Sequence, residues 1–317
     1  MGAYFYLLGK KDMKKRVVYS GEVHHVYQRT HNRGLMFYSV HDYLVFFTIY
    51  CSQARKRDVR VLALCPMIDH IHQTLVVNNS VQLAGFEQGY SHLFAQEWNR
   101  KRNRKGFLFE HPFGSAVKLG NKQVRTVLAY CNNNPVERKL TEKAEDYRWT
   151  FLPYYKNKFP YSLPLNPQLA KGYLRYVIKE ITTCHECGNY LHYSQLERWE
   201  RHLSATEWQQ MTDYIISLWN VIDYEQAISY YGDFDTMIRA FHDNTGSEFD
   251  IKEDKDNYSD TVYADCTRFL LSDRLIHRLE DIPRLHDEQK KELFAYLASR
   301  TSARPKQIKK YLHMHLP

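Results

Sequence analysis

The stretch Met67-Ile68-Asp69-His70-Ile71-His72-Gln73-Thr74-Leu75-Val76-Val77 constrains this chain more than any other. It reads as a strand, in which side chains two apart share a face, so His70 and His72 offer two imidazoles on one side while Ile71 and the run from Leu75 to Val77 bury in a sheet. Two such nitrogens can serve one metal ion. A His-x-His pair is not specific alone, because the chain holds 16 His and His313-Met314-His315 repeats the spacing. What surrounds the pair gives it meaning.

Val17 to Gln28 alternates as a strand, Arg29 to Gly34 is a polar turn, and Asp42 to Arg57 is an amphipathic helix. In that helix Leu44, Phe47, Ile49 and Tyr50 face inward, and Arg55-Lys56-Arg57 ends it where cations suit the dipole. Asp58 to Leu64 is a strand that should form an antiparallel hairpin with the histidine strand. Ser80 to Asn103 is helical with Ser80 as its cap; Phe107 to Lys118 is short and extended; Asn121 to Asn134 is a helix ended by Pro135. This order predicts an α+β fold over residues 1–158, an antiparallel sheet with helices on one face.

Pro160, Pro164 and Pro167 mark a linker at 159–168. Residues 169–286 read as a helical domain with an acidic, mobile loop at Asp243 to Asp260. In 287–317, Asp287 to Arg300 and Pro305 to His313 form a helix pair around a short polar turn, a candidate helix-turn-helix with Lys306, Lys309 and Lys310 on its second helix.

Net charge is +8 and unevenly spread. Residues 1–155 hold 23 Lys and Arg against 12 Asp and Glu, residues 156–288 hold 14 against 23, and residues 289–317 hold 7 against 1. A basic front and a basic tail suit contact with polyanions. The densest basic run is Trp98-Asn99-Arg100-Lys101-Arg102-Asn103-Arg104-Lys105-Gly106, where Arg100, Lys101, Arg102, Arg104 and Lys105 could track a nucleic-acid backbone while Trp98 and Phe107 stack on bases.

No run of 18 apolar residues occurs, and the start, Met1 to Gly9, lacks the basic lead of a signal peptide, so a soluble cytoplasmic protein without a membrane partner is expected. Six Cys suit a reducing compartment. Cys184-x-x-Cys187 near His192 is half a zinc site with no second Cys pair, and free thiols on a helix are the alternative.

Tyr130 and Asn134, four apart on the helix before Pro135, share a face. Against the edge where His70 and His72 project, they would complete a site with two nitrogens and one oxygen for a metal, leaving positions open for phosphate oxygens. A tyrosyl oxygen attacking a phosphodiester forms a phosphotyrosyl bond of similar energy, so strand joining needs no nucleotide triphosphate. No Gly-rich phosphate loop is present, as that chemistry allows. A packing role for Tyr130 is the plain alternative.

In order along the chain, His24 to Arg33 with Phe37, the two-histidine strand, Trp98-Asn99-Arg100-Lys101 leading to Gly106 to Glu110, Tyr130 to Val136, and Glu145 to Thr150 resemble the single-tyrosine HUH transposases of insertion sequences, and most closely the REP-associated tyrosine transposases. The resemblance spans about residues 17–155. It implies a ferredoxin-like HUH core, with His70, His72 and Asn134 on Mg²⁺ or Mn²⁺. It also implies Tyr130 as the attacking residue on single-stranded DNA with hairpin or palindromic ends, through a 5′-phosphotyrosine. The chain departs from the family in two places: Met67-Ile68-Asp69 stands where Met-Pro-Asn is usual, which adds a carboxylate near the metal, and Gln73 replaces a commonly apolar residue. The expected function is a metal-dependent DNA transposase, nucleoid-associated, with monomer and homodimer both open. Alternatives are a domesticated DNA-binding protein that no longer transposes and a replication or mobilisation nickase.

Overall fold

A computed structural model describes residues 17–110, 113–243 and 259–314. Strands β1 (Val23–Arg29), β2 (Arg60–Pro66), β3 (His70–Val76) and β4 (Gly114–Lys118) form one antiparallel sheet in the order β2-β3-β1-β4. The expected hairpin of β2 and β3 is present, with Cys65 opposite His72. On the other side of β3, β1 sets Tyr27 opposite His72 and His25 opposite Thr74. Opposed residues share a face, so His25, Tyr27, Cys65, His70, His72 and Thr74 project from one side of the sheet and Val26, Ile71, Gln73 and Leu75 from the other.

Helices cover both faces, where the sequence pattern suggests one. Helices α1 (Val40–Lys56) and α2 (Ser80–Lys101) bury Phe46, Tyr50, Phe86 and Phe94 against Val26, Ile71 and Leu75. Helix α3 (Gly120–Glu137) lays Val124, Val127, Leu128 and Cys131 on Val23, Ala63, Cys65 and Val76 of the opposite face. Imidazoles alternating with apolar residues look like a half-wet strand, yet every residue of β3 is buried. Leu62 is the extra residue of a bulge in β2, which turns both Leu62 and Ala63 toward α3.

Two helix ends also differ. Helix α3 continues through Pro135, because a proline in the last turn forfeits a single amide bond and already has a helical φ. Helix α2 is capped by Asn79, whose side chain accepts from the Gln82 amide at 2.8 Å, so Ser80 is its first residue and not its cap.

Helices α4 (Gly172–Glu186), α5 (Tyr193–Glu200) and α6 (Ala205–Trp219) extend the α1 cluster through Val177, Ile181, Leu196, Trp199 and Trp219. Helix α7 (Tyr224–Ser229) packs on β2 and helix α8 (Phe234–Asp243) on α3. Helices α9 (Val262–Ser272), α10 (Asp287–Arg300) and α11 (Pro305–Tyr311) enclose a third cluster that reaches Leu35 of the sheet region. The interior of the expected acidic loop, 244–258, the start at 1–16 and His315 lie outside the described residues. No described helix is long and apolar enough to cross a membrane.

Candidate active site between the sheet and the third helix

The two-histidine strand and the tyrosine helix meet. The Tyr130 ring lies edge-on to His72, centroids 5.3 Å apart, and His70 and His72 are 4.9 Å apart. His25, a residue the sequence reading quoted without a role, completes the group: its ring stacks on His72 at 5.3 Å, meets Tyr130 at 5.5 Å, and its Nε2 is 3.1 Å from His72 Nδ1. Alternation along β1 could have put His25 on this face, but only the register with β3 makes it His72's neighbour.

At the other end of the cluster, His70 Nδ1 lies 2.5 Å from Asp69 Oδ1. A carboxylate only accepts, so this nitrogen carries the proton and Nε2 holds the lone pair. That Nε2 is buried without a hydrogen-bond partner. Lys310 Nζ of α11 donates to the second oxygen of Asp69 at 3.2 Å. Burial by itself would raise the Asp69 carboxyl, but its pairing with His70, the charge of Lys310 and Arg138 hold it far below the usual carboxylate range. Burial, with the Asp69 charge added, pushes nearby Asp260 up to about 6.

Asn134 stands on α3 four residues after Tyr130 and four before Arg138. Residues at this spacing form one stripe. Tyr130 touches His72 and Arg138 acts on Asp69, so this stripe, Asn134 included, lies on the side of α3 that faces the histidine strand. Its amide nitrogen donates to the Tyr130 carbonyl at 2.9 Å, which leaves the side-chain oxygen as the atom a cation could use. These donors suit a divalent ion. The orphaned His70 Nε2 points from a ring anchored through its other nitrogen, the usual arrangement of a metal-binding histidine. The His72 ring is likewise anchored when its Nδ1 donates to His25. Among the described residues no group of three His, Cys, Asp or Glu is placed to hold a metal ion. His70, His72, Tyr130 and Asn134 are all at most 5% exposed.

The residues expected to hold DNA divide sharply. Trp98 is wholly buried, donates Nε1 to the Met36 carbonyl at 2.8 Å and carries Arg102 on its face at 4.2 Å, so no base can stack there. Arg102 is buried against Asp42 at 2.8 Å, and Lys101 is paired with Glu197 and Glu280. Arg104 donates to the Asn99 side chain and the Phe107 carbonyl. In that run, Arg100, Lys105 and Phe107 remain on the surface. In the last helix Lys306 and Lys309 are half-buried, whereas Lys310 is buried on Asp69. Charged residues in a basic run look alike in sequence; acidic partners 60 to 241 positions away decide which of them are already neutralised. Cys184 donates to the Tyr190 carbonyl and Cys187 is exposed; with His192 they line a groove of about 680 Å³, and no metal-holding group forms there among the described residues.

No family model matches this chain, and no curated protein matches it. A solved structure described as the REP-associated tyrosine transposase bound to a REP hairpin is distantly similar, with 15% identity and a TM-score of 0.36 over 44% of this chain and 81% of that one. So distant a likeness adds nothing to what the side chains themselves show.

Proposed function

We propose that the chain is a divalent-metal-dependent DNA transposase or nuclease of the HUH kind, with Tyr130 as nucleophile. The carrying observation is the contact of Tyr130 with His72 and His25 beside an orphaned His70 Nε2. His70, His72 and Asn134 would hold Mg²⁺ or Mn²⁺, which when bound polarises a scissile phosphate and stabilises its charge. Asp69 and His25 orient the two imidazoles. The Tyr130 hydroxyl gives its proton to solvent and its oxygen bonds to phosphorus as the bond to the 3′ oxygen breaks; that oxygen takes up a proton and leaves as a 3′ hydroxyl, and a DNA hydroxyl later resolves the 5′-phosphotyrosine. Arg100, Lys105 and Phe107 form the surface that would meet single-stranded or hairpin DNA.

The test is cleavage of labelled hairpin oligonucleotides in Mn²⁺. Wild type is expected to nick and to leave a covalent protein–DNA adduct; Tyr130→Phe is expected to bind equally and do neither. Full nicking by the variant sinks the assignment. Tyr130 is 3% exposed, which favours a second reading, a DNA-binding protein that no longer cleaves. Binding by wild type without any adduct supports that reading.

A further inference from the structure

The last helix docks on the connection between β1 and α1. His313 Nε2 lies 2.8 Å from the Leu35 carbonyl, and a Cβ at Gly34 would come within 2.6 Å of the His313 ring, so the glycine makes room for it. The Tyr38 hydroxyl donates to the Tyr311 carbonyl at 2.9 Å. The turn that carries Asp69 is itself fixed: Thr30 donates its amide and its hydroxyl to the Asp69 carbonyl, each at 3.1 Å, and Met67 N reaches the His70 carbonyl at 2.8 Å. Into this frame comes Lys310, buried like Asp69, across 241 positions.

We infer that Lys310 is a positioning residue of the site, acting on His70 through Asp69. This rests on the proposed metal-dependent reading but is testable without it. An Asp69 carboxylate gripped at one oxygen by Lys310 presents the other to His70 Nδ1 alone, which fixes the ring plane and holds the lone pair on Nε2. Without Lys310 the carboxylate is a buried charge short of a partner; it can rotate or draw in water, and its hold on the imidazole loosens. The C-terminal helices are then part of the centre and not an appended DNA-binding module. The basic residue that looks most like a DNA contact in sequence is used inside.

The experiment uses full-length protein labelled with ¹⁵N at histidine, and reads the His70 ring nitrogens by NMR without metal. Wild type is expected to show His70 protonated at Nδ1. Lys310→Met is expected to shift it to a mixture of tautomers and to weaken Mn²⁺ binding, measured by the EPR signal of free Mn²⁺, by about tenfold or more, in the range found when a partner of a metal ligand is lost. Lys310→Arg, which keeps the charge, is expected to restore both. An unchanged His70 tautomer in folded Lys310→Met overturns the inference, and so does a gain in Mn²⁺ affinity or nicking, which would make Lys310 a plug. Should wild type neither bind Mn²⁺ nor nick, the proposed function fails while the metal-free tautomer still decides the role of Lys310.

Discussion

The two faces of β3 bury polar groups in opposite ways. Toward α1 and α2, Gln73 is closed in on all sides: its oxygen accepts from the Tyr50 hydroxyl at 2.7 Å and its nitrogen donates to Glu87 at 2.7 Å and to Tyr90 at 3.0 Å. Tyr90 in turn reaches Gln28 on β1 at 2.9 Å. Toward α3, one residue along the strand on either side, His72 meets the Tyr130 ring and, further down, His70 keeps a buried nitrogen with no partner. A buried network whose members all find partners fixes one arrangement of a core, whereas an orphaned atom costs about 1–3 kcal/mol and persists where something other than stability requires it. One face of the strand has its polar groups paired, and the other keeps an orphaned imidazole nitrogen near Tyr130.

The comparison is broken most easily at Tyr130. Tyr130→Phe should cut nicking at least about a thousandfold while shifting stability by less than about 1 kcal/mol, measured by gel assay and urea melts on one preparation. A large loss of stability would return Tyr130 to plain packing. Replacing His70 and His72 together with Ala should lower Mn²⁺ affinity at least about a hundredfold and abolish the metal dependence of nicking; an unchanged titration would remove the metal from this face. On the other face, Gln73→Leu should cost about 3 kcal/mol by stranding Glu87 and Tyr50, yet leave nicking per folded molecule intact. If activity falls with Gln73 and stability does not, the two faces have been assigned the wrong way round.

The smallest effect concerns the cover over the chemical face. Burial pushes His313 down to about 3 from its ordinary value near 6.5. The folded state therefore takes up this proton less readily than the unfolded one, and the contribution is full above pH 6.5 and is lost as pH falls from there toward 3. Between pH 7.5 and 5 this amounts to about 2 kcal/mol, and His313→Gln should flatten that part of the stability profile. Hydrogen exchange at pH 5 should loosen α11 before β3; the reverse order would count against a site completed from the C-terminus.

Much of the architecture is visible in the residues themselves. The β2 and β3 hairpin, α1, α2 and the pair Asp287–Arg300 and Pro305–Tyr311 follow from periodicity, cap residues and proline. Helix spacing puts Tyr130 and Asn134 on one face, and strand alternation puts His70 and His72 on another. What escaped needs long-range information. That α3 covers the histidine face depends on which side of the sheet the chain crosses. The partnership of His25 with His72 depends on register, and the burial of Trp98, Arg102 and Lys310 on carboxylates and carbonyls far along the chain. Gln73, which looks misplaced among apolar neighbours, is explained only once Tyr50, Glu87 and Tyr90 surround it.

The bond between Asp69 and Lys310 also sets an order of events during synthesis. A ribosome finishes the sheet and α3 well before it reaches residue 310, so the growing polypeptide carries its tyrosine and its imidazoles for a time without the ammonium group that completes the arrangement.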